Sequence, residues 1–156
     1  MDAAMVERWN SVIKDRDTVY HLGDFTLGNY DQFMSFIHRL NGNIRILPGS
    51  HDHRWLRDFE PSDRVRVIDP LISVEFPEIM VDKRPQVIVM CHYSMRVWDK
   101  SHYGAYQLFG HSHGKLKGIG RSMDVGVDTN NFFPHSLEDI HQRLKDVPIH
   151  NAPIKD

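Results

Sequence analysis

The fold class this sequence predicts is α/β, on two observations. Short apolar runs with strand character alternate with amphipathic stretches of helical period through the first half of the chain. Four of the apolar runs also lead directly into short segments bearing Gly, Asp or His. Leu22 precedes Gly23-Asp24, Leu47 precedes Pro48-Gly49-Ser50-His51-Asp52, Cys91 precedes His92, and Phe109 precedes Gly110-His111-Ser112-His113. In α/β folds, chemistry collects at the carboxyl ends of strands, because a rigid strand delivers a loop that is free to carry it.

Taken in order, Met5, Val6, Trp9, Val12 and Ile13 recur at helical spacing and predict a helix over 3–13. Thr18 to Leu22 reads as a buried strand. Phe33, Phe36, Ile37 and Leu40 form one stripe of a second helix over 30–40, closed by the turn signal Asn41-Gly42. Asn43 to Leu47 is the next strand, and a short helix is expected over 54–59. Val65 to Ile68, Leu71 to Phe76 and Ile79 to Val81 read as short strands, with Asp82 to Pro85 as a turn. Gln86 to Cys91 is a continuous apolar β-branched run, the pattern of a strand buried on both faces. The stretch 94–102 is irregular or helical, and Ala105 to Phe109 and Met123 to Val127 are further strands. Ser136 is the expected N-cap of a last helix, with Glu138 and Asp139 in its first turn. From about 147, with two prolines, the tail is expected to be loose.

Length and composition suit a single domain over 1–156 with its own core: 40% of its 156 residues are hydrophobic and 26% charged. A net charge of −2 supplies no basic field for phosphate neutralisation, and no basic stripe stands out, so stable nucleic-acid binding is not expected. One cysteine excludes an internal disulfide and any multi-thiolate zinc site, and Cys91 is expected to be a buried, inert thiol. No apolar run reaches membrane-spanning length, and no leader pattern opens the chain; a reducing cytoplasm is the expected setting.

Histidine is the one compositional excess. Eleven His in 156 residues give roughly 0.8 His-x-His patterns by chance, and the chain has two, His51-Asp52-His53 and His111-Ser112-His113. On an extended backbone the imidazoles of such a pair share one face. The other strand ends add a carboxylate and another imidazole. One carboxylate with three imidazoles suits Mn, Fe, Zn or Ni better than Mg or Ca, which take all-oxygen shells. Such a set can hold two ions about 3.5–4 Å apart with a bridging carboxylate. Trp9, Trp55 and Trp98 are read as core. His21 is read as a supporting hydrogen-bonding residue, Arg54 as a surface ion pair, and His38, His135, His141 and His150 as surface residues.

Gly23-Asp24, Gly49-Ser50-His51-Asp52, His92 and Gly110-His111-Ser112-His113, in that order and spacing, resemble the calcineurin-like metallophosphoesterase superfamily, above all its small single-domain bacterial and phage members. The resemblance runs over nearly the whole chain, including Glu7 to Asn10 and Met123 to Asp128. It implies a four-layer α-β-β-α sandwich with a dinuclear metal site at one edge. It implies that Asp24 bridges both ions, that His92 and His111 bind one, and that His113 binds the other. His51, paired with Asp52, would contact the phosphate and protonate the leaving oxygen. The implied activity is metal-dependent hydrolysis of a phosphomonoester or phosphodiester, with a phosphorylated small molecule or nucleotide as substrate and Mn²⁺ as the expected metal.

Two departures from the family pattern shape these expectations. Ser50 stands where the family usually has an Asn whose carbonyl binds the ion held by His92 and His111, and is the candidate ligand there, its shorter hydroxyl being a poorer donor than an amide carbonyl. The Asp-x-His motif of the family's first strand has no counterpart before Asp24, so the sandwich is expected to be N-terminally incomplete. One ion then keeps Asp24, His92 and His111 and binds tightly, and the other keeps Asp24 and His113 and binds weakly. An exposed sheet edge is expected, and a misplaced start, a natural truncation or a strand supplied by a partner or second copy would each account for it. The competing functional reading is a catalytically impaired member of the same fold serving as a binding or scaffold module.

Overall fold

In the computed structural model, which describes residues 3–152, the elements in chain order are α1 (Ala3–Val12), β1 (Thr18–His21), α2 (Tyr30–Ile37), β2 (Asn43–Ile46), α3 (His53–Leu56), β3 (Val65–Val67), β4 (Leu71–Val81), β5 (Arg84–Cys91), β6 (Tyr106–Phe109), β7 (Ser122–Asp124) and α4 (Leu137–Leu144). They make a mixed α/β fold with two sheets. One has three parallel strands in the order β1-β2-β3; the other has four in the order β4-β5-β6-β7, with β4 antiparallel to β5 and the rest parallel.

Local chemistry sets the element ends. Asn29 caps α2 in a reciprocal box, its side chain accepting from the Gln32 N–H while Gln32 Oε1 accepts from the Asn29 N–H, both at 3.1 Å. Ser136 Oγ accepts from the Asp139 N–H at 3.1 Å, as expected for the N-cap of α4. The β4–β5 hairpin turns on Asp82 and Lys83 alone, both left-handed at φ 49° and 64°. Arg84 and Pro85, read from sequence as part of the turn, begin β5 instead. The two short strands expected over 71–81 are one strand whose register shifts between Phe76 and Met80, around Pro77.

Three apolar clusters hold the layers together. Helices α1–α3 cover the first sheet through Trp9, Phe33, Ile37 and Trp55 against Ile44 and Ile46. Phe33 and Trp55 stack with ring centroids 3.9 Å apart and planes 4° apart. Leu22 and Leu47 of the first sheet meet Ile88, Met90, Tyr106 and Leu108 of the second, joined by Ile140 and Leu144 of α4. On the opposite face of β5, Val87 and Val89 meet Met95, Trp98 and Ala105. That face is covered by the segment between β5 and β6, which carries Trp98 and the 3₁₀ turn Ser101–Tyr103. All three tryptophans are buried as expected, and each indole N–H finds an acceptor: Asn41 O, Asp52 Oδ1 and Ala105 O.

The described part of the tail is held by contacts. Val147 packs on the inter-sheet cluster and its carbonyl accepts from Arg121 Nε at 2.8 Å. His150 stacks on Trp98 and donates from Nε2 to Arg96 O at 2.7 Å. Residues 153–156 of that tail lie outside the described residues. His141 also departs from a surface role, its Nδ1 lying 2.8 Å from the Tyr106 hydroxyl, and Cys91 is half-buried rather than buried. No helix among the described residues is long and apolar enough to cross a membrane.

Phe33 is fully buried and links α2 to the Trp55 ring, so Phe33→Ala is expected to cost about 3–5 kcal/mol of folding stability, read from the denaturant midpoint at unchanged m.

Candidate metal centre

β1 ends at His21, and the chain turns back through two left-handed residues, Gly23 at φ 93° and Asp24 at φ 54°. The β2 loop runs directly against this turn: a Cβ on Gly23 would stand 2.5 Å from the Gly49 backbone and 2.7 Å from His92 Nδ1. The missing Cβ is therefore what allows the two loops and His92 to meet.

Asp52 locks the meeting. It is fully buried, and its carboxylate accepts from the backbone N–H of Asp24 (2.8 Å), Phe25 (2.9 Å) and Gly49 (2.7 Å) and from Trp55 Nε1 (2.8 Å). Four donors fill the acceptor positions of a carboxylate, and a pairing with the His51 ring would need one of them. The expected His51–Asp52 dyad is thus corrected: Asp52 is the clamp of the two loops, and His51 stands apart as an exposed side chain. Its backbone N–H donates to Asp24 Oδ1 at 2.8 Å, and the Ser50 hydroxyl reaches Asp24 Oδ2 at 3.2 Å. Ser50 therefore supports the carboxylate of Asp24. Arg54, expected in an ion pair, donates to the Leu27 carbonyl at 2.9 Å.

The second sheet brings the imidazoles. His92, at the end of β5, is 1% exposed and donates from Nδ1 to the Leu22 carbonyl at 2.6 Å. Its Nε2 is left with the lone pair, is buried, and has no hydrogen-bond partner. That nitrogen lies 3.3 Å from Asp24 Oδ2, so two electron-rich atoms face each other. Such an arrangement calls for a proton or a cation between them. His111 adds a third ligand atom: one atom each from Asp24, His92 and His111 lie within 4.8 Å of one another. The donor set fits a divalent transition metal with room left in its coordination shell.

His113 does not join this set. The shared-face expectation for His111 and His113 assumed an extended backbone, but both are left-handed, at φ 63° and 49°. His111 packs edge-on against the His92 and Tyr93 rings, whereas His113 places Nδ1 2.7 Å from Asp128 Oδ2. Asp24, His111 and His113 are all non-glycine residues held at positive φ, a conformation retained where surrounding contacts over-determine it. For the loop of His111 and His113 a second carboxylate does so: Asp124 accepts from Ser112 Oγ (2.5 Å), Gly114 N (2.9 Å) and Gly126 N (2.8 Å). Neither Asp124 nor Asp128 received a role from sequence; their spacing on either side of Gly126 was the signal available.

Electrostatics follow the same geometry. Burial would raise the Asp24 carboxyl, but the His51 N–H, nearby His92 and the Ser50 hydroxyl outweigh it and hold the group below its ordinary value. His21 accepts from the Gly23 N–H at Nδ1, 3.3 Å away, in the supporting role read from sequence. Burial pushes its imidazole from 6.5 down to about 4; Asp52 and Asp24 oppose that shift and His92 adds to it. His135, read as a surface residue, is half-buried with a depressed pKa of the same origin.

A cavity of about 910 Å³ adjoins the centre. Asp24, His92, His111 and His113 line it together with apolar side chains from both sheets, among them Val19, Leu22, Ile88, Met90 and Leu108. It runs along β1, which pairs with β2 on one side and with no described strand on the other.

Comparison with known proteins places the fold but no activity. No family model matches the chain. The uncharacterized protein MJ1445 of Methanocaldococcus jannaschii is 35% identical over 54 residues, which is 33% of this chain and 31% of that protein. The chain thus matches about a third of that relative's length. The crystal structure of the protein of unknown function AQ665 from Aquifex aeolicus superimposes with a TM-score of 0.64 over 90% of this chain and 83% of that one, at 19% identity. That likeness shows a shared fold.

Two outcomes follow from these contacts. Asp52→Ala leaves three backbone N–H groups and an indole N–H without their acceptor and is expected to cost on the order of 3–5 kcal/mol in chemical denaturation. Because His21 is neutral when folded, the unfolded chain takes up a proton first as pH falls below 6.5. The stability that burial of neutral His21 confers is present above pH 6.5 and lost towards pH 4. Thermal melts of His21→Gln should therefore fall less steeply than wild type across that window.

Proposed function

We propose that this protein is a metal-dependent phosphoesterase of the calcineurin-like metallophosphoesterase type, hydrolysing P–O bonds of a phosphomonoester or phosphodiester. The observation that carries the reading is the buried, partnerless His92 Nε2 facing the Asp24 carboxylate, with His111 in reach. Asp24, His92 and His111 would hold one divalent ion, Mn²⁺ being the leading candidate ahead of Fe, Zn and Ni. A bound ion of this kind polarises a phosphoryl oxygen and makes water acidic enough to attack phosphorus near neutral pH. Ser50 and the His51 backbone N–H keep the Asp24 carboxylate charged and aimed. The His51 ring, exposed at the same loop, is assigned the phosphate contact and the proton for the leaving oxygen. It carries out this role without Asp52. His113 is the remaining ligand for a second, weaker ion. The edge of β1 that no described strand pairs, with the apolar cavity beside it, supports an added extended segment there, from a partner or a second copy. A cytoplasmic setting and a phosphorylated small molecule or nucleotide as substrate belong to the same proposal.

The second reading, an impaired relative serving as a binding module, is favoured by one feature. Among the described residues, three candidate ligands gather at the centre, enough for one ion rather than two.

Hydrolysis of an aryl phosphodiester with and without added Mn²⁺, beside metal content on the same sample, separates the two readings. Mn²⁺-dependent turnover is expected, with His92→Ala losing both the ion and the activity. His51→Ala should keep the ion and lower kcat by about 100-fold or more on an alkyl ester, whose leaving oxygen needs the proton, and by less on the aryl ester. Tight binding of one ion with no turnover on any ester would favour the binding-module reading.

A further inference from the structure

We propose that Asp128 is a positioning residue for His113, holding the ring in its Nδ1–H tautomer so that Nε2 carries the lone pair. The functional consequence rests on the phosphoesterase reading, in which His113 is a ligand. The pairing itself rests on contacts alone.

Three observations converge. His113 Nδ1 lies 2.7 Å from Asp128 Oδ2, a charge-assisted distance, although the His113 side chain is 74% exposed and could otherwise turn freely into water. The carboxylate is placed by the local backbone: Asp128 lies in the 3₁₀ turn Val127–Thr129, two residues beyond the end of β7, and Thr129 Oγ1 donates to Gly126 O at 2.7 Å. Gly126 leaves the room this requires, since a Cβ there would stand 2.6 Å from Asp128 Oδ1 and 3.1 Å from Asp124 Oδ1. Asp124 then ties the two segments together, accepting from Gly114 next to His113 and from Gly126 next to the Asp128 turn.

The same device already operates at His92. There the Leu22 carbonyl takes the Nδ1 proton and leaves Nε2 bare towards Asp24. An imidazole whose distal N–H is held by a carboxylate or carbonyl is the usual state of a metal-binding histidine, because the acceptor fixes both tautomer and ring angle. A surface histidine with no task has no need of a second carboxylate, a glycine cut to fit it and a left-handed backbone.

The test begins on metal-free, ¹⁵N-labelled protein at a pH where imidazoles are neutral, using two-bond ¹⁵N–¹H correlation spectra of the rings. Wild-type His113 is expected as the Nδ1–H form. Asp128→Ala should move the proton to Nε2, the form a free imidazole prefers, and Asp128→Asn, which keeps an acceptor oxygen, should restore much of the wild-type pattern. Gly126→Ala offers a check that keeps the carboxylate: its backbone, at φ −54° and ψ 135°, suits alanine, yet the added methyl displaces Asp128, so the same tautomer change is expected. In Mn²⁺ titrations, Asp128→Ala should weaken the ion that His113→Ala also weakens, by about 10- to 100-fold, with Asp128→Asn in between. An Nε2–H ring in wild type, or a tautomer or affinity unmoved by Asp128→Ala, overturns the proposal. Failure of the phosphoesterase reading shows separately, as a wild-type chain that takes up no Mn²⁺; the spectra then still decide the pairing.

Discussion

The buried carboxylate of Asp52 organises this molecule. A charge taken out of water is tolerated only when its oxygens are fully matched, and here four N–H groups supply the match. Those donors come from three places: the turn after β1, the loop after β2, and the indole of Trp55 in α3. One side chain therefore decides how two strand-end loops lie against each other. Through Trp55, stacked on Phe33, it also fastens them to the first core. Asp24 can sit left-handed at the tip of its turn because its N–H and that of its neighbour Phe25 are both held from below. The geometry of the centre is inherited from packing, which is how a loop residue acquires the precision that metal chemistry needs.

The second sheet supplies the other half by the same logic. Gly110 N donates to the His92 carbonyl at 3.1 Å, which seats the β6 loop on the end of β5, and Asp124 gathers the turn that follows. Each sheet thus carries its own carboxylate clamp. The two halves meet because Leu22 and Leu47 pack against Ile88, Met90 and Leu108 between the sheets. Asp24 and His92 are 68 positions apart in sequence and are brought to 3.3 Å by that apolar contact. The same inter-sheet space widens into the cavity along β1, so Asp24 stands at the rim of that cavity.

Histidine tautomers link this architecture to chemistry. His92 and His113 each face an acceptor at Nδ1, one a backbone carbonyl and the other a carboxylate, whereas His21 accepts at Nδ1 from the backbone. Which nitrogen remains available is thus decided residue by residue by the group behind the ring. His21, half-buried beside Asp52 and Asp24, has its pKa pushed down by burial and so adds no imidazolium charge next to the Asp24 carboxylate at neutral pH.

The sequence by itself determined the elements and the places where polar side chains leave them. Periodicity located the helices and strands to within a few residues, and the apolar runs that stop at Asp24, His92 and His111 marked the three residues that meet. It could not show that Leu71 to Val81 is one strand, because Pro77 interrupts the pattern and the register shift that absorbs it depends on β5. Nor could it separate Asp52 as a partner of His51 from Asp52 as a clamp, since adjacency in the chain says nothing of which donors surround a buried carboxylate. The divergence of His111 and His113 was hidden for a similar reason. Two histidines one residue apart share a face only on extended backbone, and here hydrogen bonds donated to Asp124 hold the loop in another conformation. Tail residues with two prolines looked unattached until Trp98 and Arg121 were placed beside them. Residue type and spacing are local properties and were legible; acceptor partners, burial and tautomer depend on segments far apart in the chain, and only the tertiary fold decides them.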